Sequence, residues 1–234
     1  MNALGAAQGI MMINVHGLWH IVRGLKNRKA VGNAGIPSEV YNFASDRLLT
    51  MMSIFLSGFM LTGSQPTTLM HIVIIPLLKC KSKDPADANN YRPIEIAIAL
   101  SKVHEQGLLS RLTRYLWTAD SQFGLKQAHG TVMAIFTLKQ TVDFYRNQDT
   151  PVYMCFLDAS KALFDRVNHW TLAKKLLDRN VTLHVVKLFI YWYKEQEFMV
   201  QWGNSLSMTF RCSNGIWQGG QLSPSLYNIY IQMT

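Results

Sequence analysis

The stretch FLDASKALFDRVNH, Phe156 to His169, decides how the rest of the chain is read. Asp158 closes an apolar run, Val152 to Leu157, whose length and β-branched and aromatic content predict a buried strand. A carboxylate at the end of a buried strand is most often a turn former or a helix cap. It is also where a metal-dependent enzyme presents a ligand, so the question is whether partners for Asp158 lie elsewhere in the chain.

Working outward, Thr131 to Arg146 has helical spacing at Ile135, Leu138, Val142 and Tyr145. On the other side, helices are expected over Trp170–Asp178 and Leu183–Lys194. QEFMVQWGNSLSMTFRCSNGI, Gln196 to Ile216, predicts a hairpin about a Gly203-Asn204 turn. LSPSLYNIYIQM begins a last helix with Pro224 in its first turn. Upstream, HIVIIPLL, His71 to Leu78, is Ile-rich and too short for a helix, so it predicts a strand. CKSKDPADANNYRP is a polar loop, and Ser101–Trp117 shows helical spacing of Val103, Leu108, Leu109, Leu112 and Leu116. Before that, helices flank a break at KAVGNAGIPSEV, with a new helix at Ser38. Leu48 to Met70 carries no formal charge, but Gly63 to Pro66 cut its apolar part short of a membrane span, which predicts a buried helix. Helices mixed with short strands give an α+β fold.

Of the 234 residues 49% are apolar and 16% charged, which excludes a disordered chain. The formal net charge of +9 suits an anionic partner, nucleic acid first. Cys80, Cys155 and Cys212 are odd in number and far apart, against a disulfide framework or structural zinc and in keeping with a reducing compartment. The N-terminus lacks a basic segment ahead of its apolar residues, so no secretory signal is expected, and the location is expected to be cytoplasmic or nuclear.

Five segments then stand in one order: YRPI (Tyr91–Ile94), SKVHEQGLLSRL (Ser101–Leu112), QFGLK (Gln122–Lys126), FLDASKALFDRVNH and NGIWQGGQLSPSLYN (Asn214–Asn228). That series resembles the reverse transcriptase domain of non-LTR (LINE-type) retrotransposons, beginning near GLKNRKAVGNAGIPSEVY. The resemblance implies the fingers and part of the palm of a right-hand polymerase. Residues 1–70 would be a helical lead into the fingers, 71–150 the fingers, and 151–234 an incomplete palm. It places the first catalytic, metal-holding carboxylate on Asp158. Lys79 and Arg92 would contact the incoming nucleotide, and Gln218 and Gly219 would lie beside nucleotide and template. Mg²⁺, an RNA template, a DNA primer and deoxynucleotides are the implied cofactor and partners, with no membrane involved.

The chain departs from the family pattern in three places. The family's D-x-x-K-A-F-D is here DASKALFD, so Leu163 takes the place of the sugar-contacting aromatic and Phe164 follows it, with Asp165 displaced likewise. Trp217 stands where a basic residue usually precedes QG. No Asp follows Asp178, so the [FY]-x-D-D aspartates have no counterpart here. The expectation is a polymerase fragment inactive by itself, or alternatively a non-catalytic RNA-binding module with a basic fingers surface. Lys102 and Glu105, three apart on a helix, are expected to form a solvated ion pair.

Overall fold

The computed structural model describes residues 12–157 and 164–232. The Ile-rich segment forms β1 (His71–Leu78), and the YRPI segment forms β2 (Tyr91–Ala97) antiparallel to it, in register from Ile72 opposite Ala97 to Leu78 opposite Tyr91. On its other edge β1 pairs in parallel with β3 (Glu197–Trp202), His71 opposite Glu197. The sheet therefore joins segments more than a hundred residues apart, and helices make the crossover between them.

β3 turns back at Gly203-Asn204 into β4 (Ser205–Leu206), pairing Trp202 with Ser205, so the predicted hairpin and its turn are present. The return strand is interrupted: β5 (Phe210–Arg211) rejoins β3 with Phe198 opposite Phe210, one residue out of step with β4. That slip is a bulge. Ser207 bridges the break, its N–H donating to the Val200 carbonyl and its Oγ accepting from the Val200 N–H, each at 2.9 Å.

The helices are α1 (Val15–Arg23), α2 (Ser38–Asn42), α3 (Asp46–Thr62), α4 (Thr67–Met70), α5 (Ala99–Leu112), α6 (Thr131–Arg146), α7 (His169–Asp178), α8 (Leu183–Glu195) and α9 (Ser223–Ile231). Side-chain caps set several of their starts: Asn14 accepts from the Gly17 N–H, Ser45 from Leu48 and Asn168 from Thr171. α1 packs on α3 and α5, while α7 packs on α8 and α9. One continuous core runs through both groups, from Leu18, Leu56 and Val103 to Leu172, Leu188 and Leu226.

Two expectations about burial need correcting. α3 buries Leu49, Met52, Leu56 and Met60, but Met51, Ile54 and Phe55 on its other side are exposed, so it is a half-buried helix. No helix among the described residues is long and apolar enough to cross a membrane. Val152–Leu157 is neither strand nor buried: Tyr153 and Leu157 are more than nine-tenths exposed. Apolar, β-prone residues make a strand only where a neighbour supplies the ladder, and no described strand pairs with this run. α6 begins and ends where predicted, yet Ile135, Phe136 and Leu138 stay exposed and none of its residues is buried.

Candidate nucleotide-binding site

The loop between β5 and α9, carrying NGIWQGGQ, is held from three directions. Ahead of α7, the Phe164 and Val167 carbonyls accept from the Ile216 and Gly215 N–H groups at 3.0 and 2.8 Å, and His169 Nε2 lies 2.6 Å from the Gly215 carbonyl. From β2, the Glu95 carboxylate accepts the Gln218 N–H. From α5, the Glu105 carboxylate accepts from Trp217 Nε1 at 3.0 Å and from the Gln221 N–H at 2.8 Å. Successive loop residues are thus fixed by two acids on separate elements.

Glycines make this seating possible. Gly219 has φ +110°, a conformation that side chains other than hydrogen seldom adopt. A Cβ on Gly220 would lie 2.5 Å from Ser223 Oγ, 2.8 Å from the Trp217 ring and 2.9 Å from Glu105 Oε1. The loop can press onto Glu105 only because that Cβ is missing.

The electrostatics are unusual for carboxylates. Burial pushes Glu105 up to about 8, against the opposing pull of its two hydrogen bonds and of Lys102. Burial also raises Glu95 to about 8, with the Asp165 charge adding to it and the Gln218 N–H opposing it. The expected solvated Lys102–Glu105 pair is therefore overturned. Glu105 is 1% exposed, its oxygens are taken by Trp217 and Gln221, and it organises the loop. The sequence signal for this was available in Trp217: an indole in place of a cation needs an acceptor when buried. Beside Glu105, buried His104 stacks on Trp192 at 5.1 Å, and burial lowers it to about 4.

Gln218 meets two acids. Its N–H goes to Glu95, and its Nε2 donates to Asp165 Oδ1 at 3.2 Å, which leaves the amide oxygen as an acceptor for a ligand. Gly219 brings its backbone beside the Glu95 carbonyl. Phe164 turns its ring onto Tyr227 of α9, centroids 5.0 Å apart and tilted by 36°. Lys79, just past β1, and Arg92, opposite Leu77 on β2, both lie at the far end of the β1–β2 hairpin, where the Lys79 N–H donates to the Asn90 carbonyl and its Nζ to the Asn89 carbonyl. Arg92 is exposed. It stands three positions before Glu95 on β2, roughly 10 Å away along the strand, and alternation sends the two side chains to opposite faces. Asp158 and Leu163 lie outside the described residues. Among the described residues no group of three or more His, Cys, Asp or Glu is placed to hold a metal ion, so they do not by themselves make a magnesium site.

The comparisons with known proteins agree with the order of motifs. The pattern of the reverse transcriptase (RNA-dependent DNA polymerase) family matches residues 80–234, about two-thirds of the chain, and the chain belongs to that family. It is 28% identical over 219 residues to the RNA-directed DNA polymerase from mobile element jockey of Drosophila funebris, covering 90% of this chain and 23% of that protein. It is 25% identical to the probable RNA-directed DNA polymerase from transposon BS of Drosophila melanogaster, over 94% of this chain and 24% of that protein. A Pol polyprotein from the type-1 retrotransposable element R2 of Popillia japonica is 27% identical over 74% of the chain. The chain spans about a quarter of the length of these relatives. The resemblance to non-LTR retrotransposon polymerases read from the five segments is thereby borne out.

Proposed function

We propose that this chain is the fingers and part of the palm of an RNA-directed DNA polymerase of a non-LTR retrotransposon, with the Gln218–Gly219 loop as one wall of its nucleotide site. The observation that carries this is the double anchoring of Gln218 by Glu95 and Asp165 within the family-matched region. Anchored in this way, the amide oxygen faces a ligand without the entropy cost of ordering a free side chain. By the resemblance, Arg92 and Lys79 at the open end of the β1–β2 hairpin are the cations for phosphate oxygens, reaching the site from the face of β2 opposite Glu95. By the same resemblance Leu163 is the residue at the sugar-contacting position, whereas Phe164 is committed to its packing on Tyr227. Asp158 is the first of the carboxylates that would hold Mg²⁺ in a complete polymerase, and RNA template, DNA primer and deoxynucleotide are the substrates.

The test is binding of a fluorescent deoxynucleoside triphosphate to the chain, followed by RNA-templated primer extension with and without the remainder of a relative's polymerase region. Nucleotide binding weakened about tenfold or more by Gln218→Ala and by Arg92→Ala supports the assignment. Binding indifferent to both overturns it. Extension that appears only on complementation, and disappears in Asp158→Ala, identifies this chain as one piece of the enzyme.

The net charge of +9 and the solvent-accessible Arg92 favour a second reading, a non-catalytic RNA-binding module within the cell. It calls for RNA affinity that falls steeply with salt, drops in Lys79→Ala/Arg92→Ala, and ignores Asp158→Ala.

A further inference from the structure

The exposed face of α1 carries two histidines one turn apart, His16 and His20, in the segment VHGLWHIVR. Residues at i and i+4 lie on the same side of a helix. Here the two rings meet edge-on with centroids 4.6 Å apart, and their Nε2 atoms face each other at 3.2 Å. Two imidazole nitrogens bound at about 2.0–2.1 Å to one tetrahedral ion stand roughly 3.3–3.4 Å apart, and at a right-angled pair of positions about 2.9 Å. The observed separation falls between these values, so a single ion fits both nitrogens without moving the backbone.

The helix that presents the pair is fixed at both ends. Ahead of it the Ile13 N–H donates to Ser57 Oγ at 3.0 Å, and Ser53 Oγ donates to the Ile13 carbonyl. Asn14 caps the first turn. At the other end Arg23 donates to the Asn42 carbonyl, and buried Leu18 and Val22 hold the inner face against α3 and α5. Trp19 lies edge-on to the His20 ring at 5.0 Å and limits its rotation. A rigid element with ligands already facing each other loses little entropy on binding.

The surroundings select the kind of ion. α1 contains no acid, and among the described residues no third His, Cys, Asp or Glu joins the pair, so solvent fills the other coordination positions. Arg23 lies 5.6 Å from the Trp19 centroid, and Lys26 and Lys29 share the lining of a neighbouring cavity with His20. Hard ions that need carboxylate oxygens, Mg²⁺ and Ca²⁺, are therefore excluded, whereas ions with a strong preference for imidazole nitrogen are not. Each ring binds through Nε2 with its proton on Nδ1, so the exchange gives up only the hydrogen bond between the rings. We propose that His16 and His20 form a two-histidine site for a divalent transition-metal ion of the zinc and nickel class, which clips one turn of α1. The site is separate from the nucleotide site and does not rest on the chain being a polymerase.

The experiment titrates Ni²⁺, and then Zn²⁺, into the full chain by calorimetry. The exposed Cys80 and Cys155 are replaced by serine in every sample, because thiolates bind the same ions. One ion per chain is expected, weakened about tenfold or more by His16→Ala and equally by His20→Ala, and unchanged by His129→Ala on the other side of β2 in the sequence. Both variants alter exposed positions, so folding is retained. At a hundredfold excess over its dissociation constant, Ni²⁺ is expected to raise the melting midpoint by about 5 °C in the parent and to leave it unmoved in either variant. Mg²⁺ in place of Ni²⁺ should give no heat at this site. Uptake that is absent, or equal in the parent and both variants, overturns the site. Weakening in only one variant overturns coordination by the pair. Weakening in both with no change in the parent's melting midpoint overturns the clip on α1.

Discussion

Raising the pH from 6.5 to 8 is expected to weaken this fold, through Glu95 and Glu105. Both carboxyls are raised by burial from 4.5 in the unfolded chain to about 8 in the folded one. The folded state therefore holds more protons than the unfolded state between those values. The stabilisation is full below pH 4.5 and is lost as pH rises toward 8. His104 works in the opposite direction, since its folded value of about 4 lies below the ordinary 6.5, but its contribution is complete above pH 6.5. The window from 6.5 to 8 thus isolates the two glutamates. A proton held in the folded state and released in the unfolded one is worth about 1.4 kcal/mol for each tenfold change in proton concentration. Each glutamate therefore contributes at most about 1.5–2 kcal/mol across that window, and the two together about 3. Relaxation around a buried carboxylate lowers these ceilings. Urea unfolding followed by tryptophan emission at pH 6.5 and 8 measures the difference. Glu105→Gln is expected to halve the pH dependence and to cost about 1–3 kcal/mol at pH 6.5, because one of its two donors then faces an NH₂ group. Equal midpoints at the two pH values, or a Gln variant with the full dependence, would refute the buried-acid account.

Three other outcomes follow from the same geometry. Gly220→Ala should destabilise the chain by about 1–3 kcal/mol in thermal melts, since its Cβ meets Ser223, Trp217 and Glu105, whereas Gly124→Ala, with open space around it, should be near neutral. Leu56→Ala, wholly buried in α3, should cost about 2–5 kcal/mol in chemical denaturation, while Phe55→Ser on the exposed side of that helix should cost little. Gln218→Glu places a third carboxyl beside Asp165 and Glu95, so nucleotide affinity should fall further than in Gln218→Ala and partly recover below pH 6; equal losses at all pH values would count against that arrangement.

Much of this was legible in the residues. α6 runs from Thr131 to Arg146 as its spacing predicts, and Gly203-Asn204 marks the β3–β4 turn because glycine supplies the required φ of +59°. What misled was local pattern taken without its neighbours. The run Val152–Leu157 has strand composition, but a ladder is a property of two segments. Lys102 and Glu105 have ion-pair spacing on α5, yet that helix buries Ser101, His104, Glu105 and Gly107 beside Val103 and Leu108, so polar letters sit inside and the apolar stripe is blurred. The bulge at β5 left no mark in the sequence, because the slip depends on how Ser207 meets Val200. The order of motifs located the Gln218 loop, but not the acids that hold it.

The indoles of this chain divide into two optical populations. Trp19, Trp117, Trp170 and Trp202 are open to a collisional quencher such as acrylamide, whereas Trp192 and Trp217 are shielded. Each shielded ring touches a different member of one adjacent pair: Trp192 lies flat against His104, and Trp217 donates its N–H to Glu105. With the exposed rings quenched, the residual emission has two intrinsic reporters on consecutive residues, one changing near pH 4 and the other near pH 8. The protein thus carries its own unlabelled probes of whether the Gln218 loop is seated.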